Sequence, residues 1–300
     1  MSFSSEVKAE LARQYSKSRH CQIAELAALV FMEGQIRLHP LTLQFESENP
    51  ILQEKYAILM KRIFEVDITK ELSPADTMRV LRALKIADDL QLFRHAHDHV
   101  SLRGARMNGL LVQQTCCKRA YIRGMFLAAG SISNPNKSYH FEIVCHSQVQ
   151  ARQLQELMES FETDAKIVVR KHHYVVYLKD GSQIVDMLNV MEAYVSLMNL
   201  ENVRILKEMR NSVNRKVNCE TANISKTVNA AVKQIQDIEL IRDTIGLESL
   251  PDNLQEIAQV RLEHPESPLK ELGNYLSPPV GKSGVNHRLR KVAEIAEDLR

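Results

Sequence analysis

The sequence predicts an α+β N-terminal domain with pseudo-two-fold symmetry, then a helical linker, then an all-α C-terminal domain. A pattern of helix, glycine, strand and helix occurs twice within the first 200 residues, which indicates two related halves. From residue 201, apolar side chains recur at three- and four-residue steps, as in an amphipathic helix. After residue 246, short helical segments alternate with turns that contain proline or glycine. We therefore expect domains at 1–200, 201–246 and 247–300, in keeping with the usual size of soluble domains.

The two halves of the N-terminal domain are predicted from a repeat at a fixed offset. Each half contains a helix of small and apolar residues that ends in a glycine, and these glycines, Gly34 and Gly130, are 96 residues apart. The segments 44–46 (Gln-Phe-Glu) and 140–142 (His-Phe-Glu) match at the same offset. Each half then predicts a strand (41–47 and 139–145), a helix (51–64 and 148–161), a second strand region (65–71 and 165–178) and a further helix. The repeats therefore span about 19–100 and 116–200.

The packing of the two glycine-ended helices is predicted from their small side chains. Small residues let two helix backbones approach closely, and we expect these two helices to contact each other at the centre of the domain. The small residues that allow this are Ala24, Ala27, Ala28, Gly124 and Ala128.

The cysteines and the N-terminus exclude several classes of protein. Five cysteines without a C-x-x-C pair fit neither a disulfide framework nor a zinc finger, so we expect free, reduced thiols and no metal site. Cys116 and Cys117 precede the second repeat helix and are expected to pack rather than to react. No basic and apolar leader opens the chain, and no apolar run approaches the roughly 18 residues of a membrane span. We expect a cytoplasmic protein with no membrane partner and no cofactor.

His95, His97 and His99 form a second pattern that suggests metal binding. On a strand, alternate residues share a face, so the three imidazoles would lie on one side. No distant ligand set with matching spacing accompanies them. We expect a polar loop or edge segment between the repeats, with a metal site as the alternative.

The predicted linker helix has two distinct faces. Its apolar stripe is formed by Leu206, Met209, Val213 and Val217. Asparagine is a poor helix former because its amide competes for backbone hydrogen bonds, so a row of asparagines on the opposite face needs an explanation. Contact with phosphates, bases or a neighbouring domain is one alternative, and a solvated face with a helix break near 219–223 is the other. The residues of this polar face are Asn211, Asn214, Arg215 and Asn218.

Three helices are predicted in the C-terminal domain. The first covers 254–262 and stops before His264-Pro265. Ser267 and Pro268 begin the second, as N-cap and first helical residue. The connection 277–282 contains two prolines and a glycine and cannot be helical. Ser283 is then expected to cap a long final helix, 284–299.

The final helix carries the strongest functional signal. Its apolar residues, Val285, Leu289, Val292, Ala296 and Leu299, fall on one side at about 100° per residue. The hydrogen-bond donors cluster in the N-terminal half, where a recognition helix meets base edges and where helix N–H groups favour phosphate. Arginine suits guanine, asparagine suits adenine, and Lys282 suits a phosphate. The sequence therefore predicts a helix-turn-helix that binds double-stranded DNA through Lys282, Ser283, Asn286, His287, Arg288, Arg290 and Lys291.

Residues 19–200 resemble the LAGLIDADG homing-endonuclease fold. In that family the two repeat helices lie at the centre, and an acidic residue before each terminal glycine binds the catalytic metal. The corresponding positions here are Glu33 and Ala129. An alanine methyl cannot ligate a metal ion, and phosphodiester hydrolysis of this type needs carboxylates to hold its metals. The resemblance therefore implies a degenerate domain without nuclease activity.

Three long segments resemble the WhiA family. They are KRAYIRGMFLAAGSI at 118–132, MRNSVNRKVNCETAN at 209–223 and PPVGKSGVNHRLRKV at 278–292. The family joins a degenerate LAGLIDADG domain to a helix-turn-helix that resembles sigma-factor region four. It occurs in Gram-positive bacteria. The resemblance implies a nucleoid-associated transcription regulator in sporulation, cell division or chromosome segregation, with sigma factor or RNA polymerase as further candidate partners.

Two alternatives to a DNA-binding regulator stay open at this point. One is a surviving nuclease with Glu33 as its single metal carboxylate, and the missing acid at Ala129 argues against it. The other is a protein-interaction scaffold that the C-terminal domain tethers to DNA. The sequence does not separate this scaffold from a regulator.

Overall fold

The computed structural model describes residues 2–68, 71–87 and 98–300 and divides the chain into two compact units, Met1–Lys207 and Glu208–Arg300. Each unit has its own cluster of buried apolar side chains. The first unit is α+β and the second is all-α, as predicted.

The first half of the N-terminal unit contains a three-stranded antiparallel sheet and four described helices. Its elements are α1 (Phe3–Ala12), α2 (Arg19–Glu33), β1 (Gly34–Leu38), β2 (Leu41–Phe45), α3 (Pro50–Phe64), α4 (Pro74–Ala83) and β3 (His99–Ser101). The strand order is β2-β1-β3. Ser2, Asn49 and Ser73 cap α1, α3 and α4 through their side chains, which satisfies N–H groups that a helix start leaves free.

The second half repeats this arrangement with a four-stranded sheet. After a 3₁₀ turn at Gly109–Val112 come α5 (Thr115–Ala129), β4 (Gly130–Ile132), β5 (Phe141–Cys145), α6 (Gln148–Glu159), β6 (Lys166–Arg170), β7 (His173–Leu178) and α7 (Gly181–Met191). The order is β4-β5-β7-β6, with every neighbouring pair antiparallel. The strand region predicted at 165–178 is confirmed, and it forms the antiparallel hairpin of β6 and β7.

The glycine-ended helices α2 and α5 lie at the centre of the unit and pack against each other, as predicted. A Cβ at Gly124 would lie 2.7 Å from the Ala28 Cβ and 2.8 Å from the Glu25 carbonyl oxygen. Only glycine fits there without a shift of the helices. Ala28 and Gly124 are themselves 96 residues apart, so the two equivalent positions of the repeat meet at the crossing point.

Gly34 and Gly130 end these helices, but not in the left-handed conformation usual for a terminal glycine. Both have extended backbones, with φ of −85° and −80°. Glycine is needed at both positions because a side chain would not fit. A Cβ at Gly34 would lie 2.5 Å from the Val30 carbonyl oxygen, and one at Gly130 would overlap the Phe126 ring. The chain therefore passes from helix to strand at a single small residue.

Two predictions about the strands are wrong. Residues 65–68 and 71 of the predicted strand region 65–71 are not a strand, and 69–70 lie outside the described residues. The outer edge of β2 is occupied instead, because the Leu43 N–H donates to the Thr77 hydroxyl at 3.4 Å. The match of 44–46 with 140–142 at an offset of 96 residues is also wrong as a structural equivalence, because equivalent positions of β2 and β5 are 98 residues apart. Gly34 pairs with Phe45 and Gly130 with Ile143, because the loop before β5 is longer than the turn before β2.

The predicted break near 219–223 does not occur, and one helix, α8, runs through Tyr194–Thr244. Neither glycine nor proline interrupts these 51 residues. Asparagine disfavours a helix by only about 0.7 kcal/mol or less relative to alanine, so three of them do not end it. Gly246, with φ of 80°, follows the helix, and its N–H donates to the Ile241 carbonyl at 3.1 Å. No helix among the described ranges is both long enough and apolar enough to cross a membrane.

The C-terminal unit places three helices against the end of α8. They are α9 (Asp252–Glu263), α10 (Leu269–Asn274) and α11 (Lys282–Asp298), after a 3₁₀ turn at Leu247–Ser249. Two predicted caps are wrong. Pro268 rather than Ser267 precedes α10, and Gly281 rather than Ser283 is the N-cap of α11, so Ser283 is already helical.

Candidate nucleic-acid interface

The N-terminal half of α11 presents its polar side chains to solvent. Val285, Leu289, Val292 and Ala296 are buried in the core of the unit, which fixes the rotation of the helix. The first turn also leaves backbone donors free, because the first intrahelical bond runs from the Val285 N–H to the Gly281 carbonyl at 3.1 Å. The predicted contact residues that are exposed are Lys282, Ser283, Asn286, His287, Arg290 and Lys291.

The two arginines of this set differ in their partners. Arg290 is highly exposed, and its Nε lies 3.2 Å from the Glu294 carboxylate one turn later on the same helix. Exposed pairs of this kind contribute little stability, so Arg290 is free to exchange Glu294 for another acceptor. Arg288 is half-buried and contacts α9, with Nη1 3.4 Å from the Glu256 carboxylate. Arg288 therefore holds α11 against α9.

The connection between α10 and α11 is fixed by backbone contacts. The Ser277 N–H donates to the Glu256 carboxylate at 2.7 Å, so the carboxylate that contacts Arg288 also anchors the turn. The Val280 N–H donates to the Gly273 carbonyl at 2.9 Å. A Cβ at Gly273 would overlap the Val280 carbonyl oxygen, so the close approach of the two segments requires glycine.

The end of α8 belongs to this unit as well. Ile238 and Ile241 are fully buried in its core. The guanidinium of Arg261, itself buried, donates to Gln234 Oε1 at 3.0 Å and to the Ser267 carbonyl at 2.7 Å. A domain that begins at 247 would omit these residues of α8. We therefore place the start of the folded helix-turn-helix domain before Gln234.

The polar face of α8 is exposed at all four positions, Asn211, Asn214, Arg215 and Asn218. Arg215 donates back to the Asn211 carbonyl at 3.3 Å within the same helix. The apolar stripe is exposed too, with Met209 61% and Val213 60% accessible. Neither face is covered by described residues, so the choice between a contact surface and a solvated face stays a prediction.

The degenerate LAGLIDADG position contains an ion pair. Glu33 Oε2 lies 2.9 Å from Arg103 Nη2, and Ala129 offers only a methyl group at the equivalent position. Burial, together with the nearby Arg103, lowers the pKa of His146, which lies beside this pair. Of the histidine pattern, His95 and His97 lie outside the described residues, and His99 is exposed on β3.

Two clusters in the N-terminal unit were missed by the sequence analysis. In the first, Arg123 is buried and forks onto both Glu25 oxygens at 3.1 Å, while Lys55 Nζ lies 3.0 Å from the same carboxylate. Arg123 also donates to Glu192 at 2.7 Å and to the Ser16 hydroxyl at 2.9 Å. Burial lowers the pKa of Lys55, against the attraction of Glu25. The sequence signal for this cluster was a charged residue within each apolar helix, Glu25 in α2 and Arg123 in α5.

In the second cluster, His20 and Cys21 of α2 meet Cys116 and Cys117 of α5. Their side-chain donor atoms all lie within 4.8 Å of one another. The repeat offset was the available signal, because 96 residues separate His20 from Cys116 and Cys21 from Cys117.

These observations define a class of protein: a LAGLIDADG-type α+β domain without its paired acids, joined to a helix-turn-helix domain. Comparison with known families agrees. Residues 118–210 match the family model described as the WhiA LAGLIDADG-like domain, and residues 213–296 match that of the WhiA C-terminal HTH domain. The chain belongs to the WhiA family.

Relatives with curated names match over the full length. A "Probable cell division protein WhiA" of Lachnoclostridium phytofermentans is 51% identical over 316 residues and covers all of both chains. That of Lachnospira eligens is 49% identical over 310 residues, covering 100% of this chain and 98% of the relative. The crystal structure of full-length DUF199/WhiA from Thermatoga maritima covers 99% of each chain with a TM-score of 0.56 at 24% identity, which supports the fold.

Proposed function

We propose that this protein is a sequence-preferring DNA-binding transcription regulator without nuclease activity, which acts in cell division, chromosome segregation or sporulation. The observation that supports it is the α11 N-terminus, where six polar side chains and free N–H groups point to solvent from a helix fixed by its buried face. This geometry suits insertion into the major groove of duplex DNA. The names of the relatives associate the family with cell division. DNA binding would place the protein on the nucleoid.

Lys282 and Arg290 have different expected roles. Lys282 lies at the first position of α11, next to the turn, where a compact ammonium suits a phosphate. Arg290 lies two turns further along, and its one partner among the described residues is the exposed Glu294. Its guanidinium can contact two acceptors on a guanine edge. Sequence preference should therefore depend on Arg290 and overall affinity on both.

The test measures the affinity of full-length Lys282→Ala and Arg290→Ala for two duplexes of equal length. One is a selected duplex, which contains a preferred site, and the other has a random sequence. We expect Arg290→Ala to cost about 1–3 kcal/mol more on the selected duplex than on random DNA. Lys282→Ala should weaken both about equally and reduce the salt dependence. Arg242→Ala, at an exposed arginine of α8 paired with Asp243, is the matched control and should change neither. Equal losses on both duplexes for Arg290→Ala would show that it contacts phosphate alone.

The absence of nuclease activity is supported by the Glu33–Arg103 pair. A single carboxylate already paired with a guanidinium is a poor ligand for Mg²⁺, which demands near-octahedral oxygen coordination. Incubation of supercoiled plasmid with the protein and Mg²⁺ or Mn²⁺ should give no nicking. Metal-dependent nicking that Glu33→Gln abolishes would overturn this part of the proposal.

A further inference from the structure

The N-terminal ends of the two central helices bring four metal-ligand side chains together. His20 Nδ1 lies 3.1 Å from Cys117 Sγ and 3.3 Å from Cys21 Sγ. With Cys116 Sγ, all four donor atoms lie within 4.8 Å of one another. Cys21 and Cys117 are buried, whereas His20 and Cys116 are exposed. The cluster therefore has a closed inner side and an open outer side through which an ion can enter.

We propose that His20, Cys21, Cys116 and Cys117 form a structural Zn²⁺ site. Three thiolates and one imidazole are a ligand set of structural zinc sites. Zn–S bonds of about 2.3 Å and Zn–N bonds of about 2.0–2.1 Å separate tetrahedral donor atoms by about 3.5–3.8 Å. The observed His20–Cys distances are within a few tenths of an ångström of this range. Small side-chain rotations would complete the tetrahedron.

Other chemistry fits the cluster less well. Thiol and imidazole donors are soft and favour zinc over Mg²⁺ or Ca²⁺, which prefer oxygen. Four donors this close surround one ion, not a multinuclear cluster. A reactive cysteine also needs to be accessible, whereas Cys21 and Cys117 are buried.

The site is distinct from the degenerate catalytic position. Glu33 and Ala129 lie at the C-terminal ends of α2 and α5, and thirteen residues separate His20 from Glu33. At 1.5 Å per residue this is about 20 Å along the helix. Each helix supplies two adjacent ligands from its first turns. Zinc would therefore join the two halves of the repeat at one end of their central interface.

The test is the metal content and stability of full-length protein prepared without chelators and with a thiol reductant. The double variant His20→Asn with Cys116→Ser removes the two exposed ligands and leaves the buried pair in place. Cys219→Ser, at an exposed thiol on α8, is the matched control. We expect one zinc ion per chain in the parent and in Cys219→Ser, and substoichiometric zinc in the double variant.

Two further readouts test coordination and structural role. Cobalt(II) substitution should give the thiolate charge-transfer and intense visible bands of tetrahedral coordination in the parent, but not in the double variant. Chelation should lower the melting temperature of the parent by at least about 5 °C, the shift expected when a ligand at a free concentration of about 100 times its Kd is removed. The melting temperature of the double variant should not change. Three outcomes would each overturn the proposal. They are a parent protein that stays free of zinc after reconstitution, a Cys21–Cys117 disulfide under these reducing conditions, and as much zinc in the double variant as in the parent.

Discussion

Arg123 is the residue whose replacement tests the central helix interface most directly. It is buried between α2 and α5 and makes four hydrogen bonds, two to Glu25, one to Glu192 and one to Ser16. Arg123→Met keeps an unbranched side chain of similar length but removes the charge and all four bonds. Glu25 is fully buried, and of its partners in the described part of the chain only Lys55 would remain. Loss of one partner from a buried ion pair costs about 3–5 kcal/mol, because the remaining charge is left desolvated.

The expected loss can be measured on the tyrosine signal of the full-length protein. Seven of the eight tyrosines lie in the N-terminal unit and the chain has no tryptophan, so near-ultraviolet circular dichroism reports mainly this unit. For about 200 residues, 1 kcal/mol corresponds to about 2–4 °C, which predicts a fall in melting temperature of about 6–20 °C. Arg123→Lys should give an intermediate loss, since an ammonium cannot fork onto both oxygens of Glu25.

Arg79→Met provides the matched control for this prediction. The exposed Arg79 pairs with Asp76 at 2.9 Å, three residues earlier on α4, and such surface pairs contribute about 0–1 kcal/mol. A loss below about 1 kcal/mol for Arg123→Met, equal to that of the control, would refute the argument that the buried charges depend on one another.

A glycine, a histidine and an arginine offer three further tests of the packing. Gly273→Ala should destabilise the C-terminal unit by about 1–3 kcal/mol through overpacking against Val280, whereas Gly281→Ala, where a Cβ meets open space, should cost less in the same thermal unfolding experiment. Because partial burial and the nearby Arg103 lower the pKa of His146, its contribution to stability is present above about pH 6.5 and is lost as the pH falls through its folded-state pKa. The melting temperature of the parent should therefore fall more between pH 7 and 5 than that of His146→Asn, with His172→Asn in the turn between β6 and β7 as control. Arg288→Ala should lower the melting temperature of the C-terminal unit, since it breaks the contact with Glu256, while Arg290→Ala should leave it unchanged; equal effects would contradict the different roles assigned to them.

The sequence was most informative where one local pattern decides the structure. The small residues around Gly124 predicted the crossing of α2 and α5, and the apolar period of α11 predicted which side of that helix is buried. Helix ends were less accurate, as at Ser267 and Ser283. The choice of cap there depends on how the chain enters the helix, which the turn geometry sets.

The missed features depend on contacts between residues far apart in the chain. Glu25 and Arg123 are 98 residues apart, and neither has a local signature beyond its polarity within an apolar helix. The cysteines fit no zinc-finger spacing, because their proximity comes from the packing of two helix ends and not from a short loop. The break predicted in α8 does not occur because the low helix propensity of asparagine is outweighed by a long stretch that contains neither glycine nor proline.

The buried charges of the N-terminal unit also determine which halves of the repeat can associate. The counterparts of Glu25 and Arg123 at the offset of 96 residues are Tyr121 and Ala27, and that of Lys55 at the offset of 98 between α3 and α6 is Gln153; none of these is charged. Two first halves brought together from different molecules would bury two copies of Glu25 and Lys55 without an arginine. Two second halves would bury two copies of Arg123 that keep Glu192 of their own half but lack Glu25, a costly arrangement in a dry interface. The charge asymmetry therefore favours heterotypic pairing within one chain and disfavours misassembly between copies, a characteristic failure of repeat proteins during folding.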